Sequence, residues 1–194
     1  MIDYTQMGDE DLVKLLNSST KKDREASFTE VYNRYSPLVY NFCVKMIGNR
    51  RDSRDIFQDV FFKFLDSVRK DEHISNLKAY LLTISRNTCI NYFKKPKEVF
   101  LEDFANYPIY NSESSYEDNE LANILKHGIS SLKDTYREIA ILRYYEGMTY
   151  EEIAEVTGES YSNVKNKVWR SKLKIMKILA PFLKEFKQEI NINN

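Results

Sequence analysis

The sequence predicts an all-α protein of two small helical domains joined by a flexible acidic linker, and three observations carry that prediction. Gly (5) and Pro (4) are scarce among 194 residues, while the good helix formers Lys, Glu and Leu are plentiful. Apolar residues recur at helical spacing over most of the chain, with start and stop signals between the runs. One stretch breaks the pattern. Over 97–119, Glu98, Glu102, Asp103, Glu113, Glu117 and Asp118 face the single cation Lys97, and Asn, Ser and Pro108 recur without periodicity. Such a segment ties domains together rather than packing between them. The expected division is therefore 1–96, 97–119 and 120–194, and 42% apolar residues suffice for two cores.

The first domain begins with a short helix near Asp9. A longer one over 23–47 ends at Gly48, a normal C-terminal stop, and Pro37 should bend or break it. Asp52 or Ser53 is suited to cap the next helix, which runs to about Arg69. Lys70–Asn76 is a polar break, and a helix over 77–95 stops at Pro96. Beyond the linker, helices are expected at about 119–130, 134–146, 149–157 and 160–187. Ser131 with Asp134, and Thr149 with Glu152, have capping-box spacing ahead of apolar runs.

The third helix, containing RDIFQDVFFKFL, has an unusual wet face. At about 100° per residue, Ile56, Phe57, Val60, Phe61, Phe64 and Val68 sweep one apolar arc. Asp55, Asp59, Lys63 and Asp66 lie opposite, and Phe62 falls among them. Two readings stand: a docking surface with an apolar anchor, or a ring packed beneath a neighbouring loop. The helix 77–95 lacks carboxylates. Tyr80, Thr83, Asn87, Asn91 and Lys94 share one face, with Lys78, Arg86 and Lys95 adding charge. That face suits stacking and hydrogen bonding to unpaired bases. A half-buried helix with solvated cations accounts for the same residues.

The segment TYEEIAEVTGESYSNVKNKV is a capped helix, a turn at Gly158, and a second helix capped by Ser160. Ile153 and Val164 are placed to pack between the two helices, the pattern of a helix-turn-helix. On the second helix, Asn163, Asn166, Lys167, Arg170, Lys174 and Lys177 share an arc opposite Val164, Val168 and Ile175. The cations suit phosphates, and Asn163 or Asn166 suits an adenine edge in the major groove. Formal net charge is zero, so this basic face is a matter of distribution.

Other classes fit less of the chain. His73 and His127 are the two histidines, and neither has a nucleophile at a recognisable spacing. Gly-rich phosphate loops are absent, so no catalytic residue, cofactor or metal site is expected. Cys43 and Cys89 sit singly in helical patterns, as in a reducing cytosol. No signal peptide or membrane-length apolar run is visible, which places the chain in the cytoplasm. A helix-turn-helix repressor or activator working without polymerase explains 149–177, but not the face on 77–95 or Phe62. A pure adaptor explains neither DNA-suited face.

Three segments, SRDIFQDVFFKFL, LKAYLLTISRNTCINYFKK and SLKDTYREIAILRYYEGMTYEEIAEVTGESYSNVKNKVWRSKLKIM, resemble in order and spacing the bacterial extracytoplasmic-function sigma factors. The resemblance covers about 23–95 and 120–180. It implies a two-domain RNA polymerase initiation subunit, with regions 2 and 4 joined by a linker along polymerase channels. By that resemblance Asp55, Gln58, Asp59 and Phe62 dock on the clamp helices of the largest polymerase subunit. The loop Lys70–Asn76 and the helix bearing Lys78, Tyr80, Thr83, Arg86, Asn87, Asn91, Lys94 and Lys95 melt and read the −10 element. Ser162, Asn163, Asn166, Lys167, Arg170 and Lys174 read the −35 element, and their domain also rests on the polymerase flap. An anti-sigma factor is a further implied partner. The family often has Trp at Tyr80, Ala at Ser85 and Asp at Asn91; Tyr80 keeps an aromatic surface, while Asn91 makes that face less negative.

Overall fold

The computed structural model describes residues 3–18, 20–70, 74–94, 124–125 and 127–192, with side chains to 182. Among them every regular element is helical. The chain divides between Lys97 and Glu98 into two compact units, with the short Glu155–Gly158 stretch grouped with the first. The expected linker, 97–119, lies outside the described residues.

In the first unit a 3-10 turn, Tyr4–Gln6, precedes α1 (Asp9–Leu16), α2 (Lys21–Ile47), α3 (Arg50–Arg69) and α4 (Leu77–Lys94). α2 is the hub: it touches α1, α3 and α4, and α3 also touches α4. Leu12, Val31, Val39, Phe42, Phe64, Leu81, Leu82 and Cys89 are fully withdrawn from water at the centre. On α3 the buried set Ser53, Ile56, Val60, Phe61, Phe64 and Val68 follows the helical period. The N-terminal turn is strapped to α2 by Arg34, whose guanidinium donates to the Tyr4 and Thr5 carbonyls at 3.2 and 2.9 Å and to Asp9 at 3.2 Å.

Two local expectations are revised. α2 runs unbroken through Pro37. The carbonyl that Pro37 leaves without a helical donor belongs to Asn33, and both residues are exposed, so water can serve it. The cap of α3 is Asn49, whose side chain accepts from the amides of Arg51 at 2.8 Å and Asp52 at 3.3 Å. Gly48 reverses the chain in a left-handed conformation (φ 77), which sets the next residue in extended backbone as the cap. Ser53 is drawn into the core, where its hydroxyl faces the Cys43 carbonyl at 3.4 Å, and Asp52 receives the Tyr92 hydroxyl. α4 starts where expected, with the Asn76 side chain accepting from the Ala79 amide at 3.1 Å.

In the second unit 124–125 and 127–130 are helical, followed by α5 (Asp134–Ala140), a π-helical turn (Ile141–Tyr145), α6 (Tyr150–Thr157) and α7 (Tyr161–Ile192). Ser131 does not cap α5. Its hydroxyl donates back to the His127 carbonyl at 2.8 Å, serving the end of the preceding helix. Arg137 holds the junction instead, donating to the Ser130 and Leu132 carbonyls at 2.8 and 2.9 Å. The expected helix over 134–146 widens at its end into the π turn, closed by the Glu146 amide on the Ile141 carbonyl at 3.1 Å. The second capping box does form: the Thr149 amide donates to Glu152 at 2.7 Å, and the Glu152 amide to the Thr149 hydroxyl at 3.2 Å. Ile139, Ile141, Leu142, Ile153, Val164, Val168 and Ile175 are buried. Gly128 admits α7 closely, since a Cβ there would lie 3.3 Å from Leu179.

Candidate protein-docking and nucleic-acid interface

Because α3 turns its 3.6-residue apolar stripe onto α2 and α4, the side chains between those positions are forced outward. Asp55, Gln58, Asp59 and Phe62 are all exposed, and Phe62 is 70% so. They lie within a strip about 100° wide along the helix. The ring is therefore not packed beneath a loop of the described residues.

Beside this strip, α2 and α3 enclose a groove of about 770 Å³ lined by Phe28, Tyr32, Pro37, Tyr40, Phe57, Gln58, Phe61 and Phe62. Its floor is interlocked. Tyr32 and Phe61 have centroids 5.0 Å apart, Phe57 and Phe61 5.2 Å, and Tyr40 and Phe57 5.7 Å, the last edge-to-face. Such contacts hold the rings in place before anything binds. Sequence reasoning assigned Phe57 and Phe61 to the core and missed the groove. The available signal was the aromatic pairs one turn apart on two neighbouring helices, Phe28 with Tyr32 and Phe57 with Phe61.

On α4, Leu81, Leu82, Ser85 and Cys89 face the core, which rotates the opposite side outward. Asn87, Asn91 and Lys94 are exposed; Lys78, Tyr80, Thr83 and Arg86 are half-buried. The Thr83 hydroxyl donates to the Ala79 carbonyl at 2.8 Å, and Arg86 reaches Asn87 at 3.3 Å. The face thus combines a half-buried ring, amides and cations. Lys95 and residues 71–73 of the preceding loop lie outside the described residues.

α7 begins beyond Gly158, whose φ of 68 makes the turn, and Ser160 caps it by accepting from the Asn163 amide at 3.3 Å. Ser162, Asn163, Asn166, Arg170 and Lys174 are exposed. Lys174 also lies over the Tyr136 ring, 4.7 Å from its centroid. Lys167 is half-buried and held by Glu159, so its charge is partly offset. Lys165, Lys172 and Lys177 extend the basic surface. Sequence reasoning overlooked Trp169, which is 61% exposed, and Leu173 and Met176 beyond it, also exposed. Their spacing of four and three residues was the readable signal. Among the described residues there is no group of metal-binding side chains, and no helix is long and apolar enough to cross a membrane.

These surfaces can be set beside known proteins. The family model for sigma-70 region 2 matches residues 31–98 and that for sigma-70 region 4 matches 122–175. The RNA polymerase sigma factor SigV of Bacillus subtilis is 31% identical over 141 residues, 72% of this chain and 82% of SigV. YlaC, another sigma factor of that organism, is 27% identical over 159 residues, 78% of this chain and 91% of its own. Among solved structures, the sigma factor RpoE from Bartonella quintana, crystallised with the anti-sigma factor NepR, superposes with a TM-score of 0.63 at 25% identity, covering 79% of this chain and 96% of that one. The chain belongs to the extracytoplasmic-function sigma factors, non-enzymatic subunits of bacterial RNA polymerase, and is an alternative sigma factor that directs transcription initiation.

Proposed function

We propose that the α3 strip of Asp55, Gln58, Asp59 and Phe62 docks on the clamp helices of the largest polymerase subunit. In this reading residues 1–96 act as region 2, 97–119 as the linker and 120–194 as region 4. α4, through Lys78, Tyr80, Thr83, Arg86, Asn87, Asn91, Lys94 and Lys95, opens the −10 element together with the loop before it and reads one strand. α7 reads the −35 duplex, and its domain rests on the flap. The protein works in the cytoplasm, catalyses no reaction and needs no cofactor. An anti-sigma factor covering the docking faces is proposed as well, supported by the relative crystallised with one.

Phe62 carries this reading. A phenylalanine 70% exposed between carboxylates contributes little to the core, and its free energy falls when a partner removes it from water. It stands at the margin of a groove whose rings are already ordered, so a partner would meet little ordering cost. Asp55 and Asp59 suit cations on that partner.

Asp55→Ala combined with Phe62→Ala tests the assignment. Helicity and melting should stay nearly unchanged, because both residues are exposed. Affinity for core polymerase should fall by about 1–3 kcal/mol, with loss of promoter-dependent transcripts. A double variant that unfolds, or that binds core as wild type does, would overturn it.

A further inference from the structure

α7 carries one large side chain that neither its core-facing side nor its cations explain. Trp169 is 61% exposed. At about 100° per residue, Ser162 and Asn166 fall within about 60° of it on one side, and Lys165 and Lys172 within about 60° on the other. All four are exposed. Arg170 follows directly, also exposed, and no carboxylate occurs on α7 from Tyr161 to Phe182. An indole held in water among cations and an amide fits a partner that offers negative charge beside apolar surface.

A DNA major groove offers both. Phosphates line its edges, and the C5-methyl of thymine is the apolar group presented by its bases. From Ser162 to Arg170 the helix rises about 12 Å, close to the width of that groove. Trp169 therefore falls within the stretch that can lie against base edges. Leu173 and Met176 continue the apolar line toward the C-terminus, as they would on a protein-docking face. The cations on both sides of Trp169 and the absence of acids favour the polyanion.

We propose that Trp169 is a specificity-determining contact to duplex DNA, its indole covering a thymine methyl in the −35 element. One position of that element is then read by apolar contact rather than by hydrogen bonds. The proposal rests on α7 being the duplex reader, and the experiment separates the two.

The holoenzyme selects its −35 duplex from a randomised segment. The selected duplex is then resynthesised with each thymine replaced singly by deoxyuridine, which removes only the methyl. Wild type should lose affinity roughly three- to fivefold at one thymine, the scale of one buried methyl. Trp169→Ala should bind the thymine duplex weaker by a similar factor and be indifferent to deoxyuridine there. Trp169→Phe should retain the response, and Arg170→Ala should weaken every duplex while keeping it. Tight binding that ignores the methyl at every position sinks the Trp169 contact but leaves α7 as reader. Absence of −35 selection overturns both. If Trp169→Ala weakens core binding while the deoxyuridine response persists, the stripe is a protein face and the proposal is wrong.

Discussion

Asn163, Asn166 and Arg170 are all exposed on α7, yet their chemistry separates what each should do. A carboxamide presents a donor and an acceptor together and matches adenine, whereas a guanidinium on a phosphate is blind to sequence. Asn163→Ala or Asn166→Ala should relax preference at one or two base pairs by about 1–3 kcal/mol. Arg170→Ala should weaken all sequences alike and lower the slope of log affinity against log salt by about 0.9. Anisotropy titrations of holoenzyme with −35 duplexes over a salt series would distinguish them, and an unchanged slope would remove Arg170 from the phosphate contacts. Lys167 should contribute less than its neighbours, because Glu159 already holds it. Phe62 was legible from sequence because it breaks a polar arc. Trp169 was passed over because the cations around it dominated the pattern.

At the scale of elements, α4 is where a sigma factor and a duplex-binding repressor part company. Its core side is fully used by Leu81, Leu82, Ser85 and Cys89, so Tyr80 and Asn87 are presented on the other side. Unstacking a base costs a few kcal/mol, and stacking it on an aromatic side chain returns about 1–3 kcal/mol. Tyr80→Ala or Asn87→Ala should therefore impair opening of a duplex promoter, read as permanganate-reactive thymines. A promoter pre-melted by mismatches should be partly rescued. If Tyr80→Ala opens promoters as well as wild type does, Tyr80 is a packing residue. Helix boundaries here follow caps, and caps depend on neighbours. Thr149 with Glu152 works as its spacing predicts. Ser53 and Ser131 have the right chemistry but find other partners, one in the core and one on the preceding helix.

At the scale of the whole molecule, zero net charge conceals a separation. Acids gather in the linker sequence and bases on α7, so association with DNA is set by local faces. The stability of the first unit should carry its own pH signature. Asp23 accepts from Thr20 and from the Tyr4 hydroxyl, which together hold its carboxyl below its ordinary value of 3.8. A depressed carboxylate stabilises the fold above the unfolded value and loses that contribution as pH falls through the folded one. The gap in urea midpoint between wild type and Asp23→Asn should thus be present at neutral pH and close as pH drops below 3.8. A gap unchanged down to the acid transition would show that the Asp23 contacts do not stabilise the chain.

By itself the sequence determined the all-α class, the stop at Gly48, the start of α4, the capped turn into α7 and the place of Phe62 on the polar arc of α3. Each is a short-range consequence of helical period, caps or glycine freedom, and each is written within a few neighbouring residues. Only the tertiary structure decided the aromatic groove, whose walls come from residues 28–40 of one helix and 54–65 of another. It also decided the withdrawal of Ser53, the strap of Arg34 across the N-terminal turn, and the π turn after Ala140. Those features depend on which helix faces meet. A periodic pattern shows that a face is apolar, but it does not name the face packed against it, and packing selects which local alternative survives.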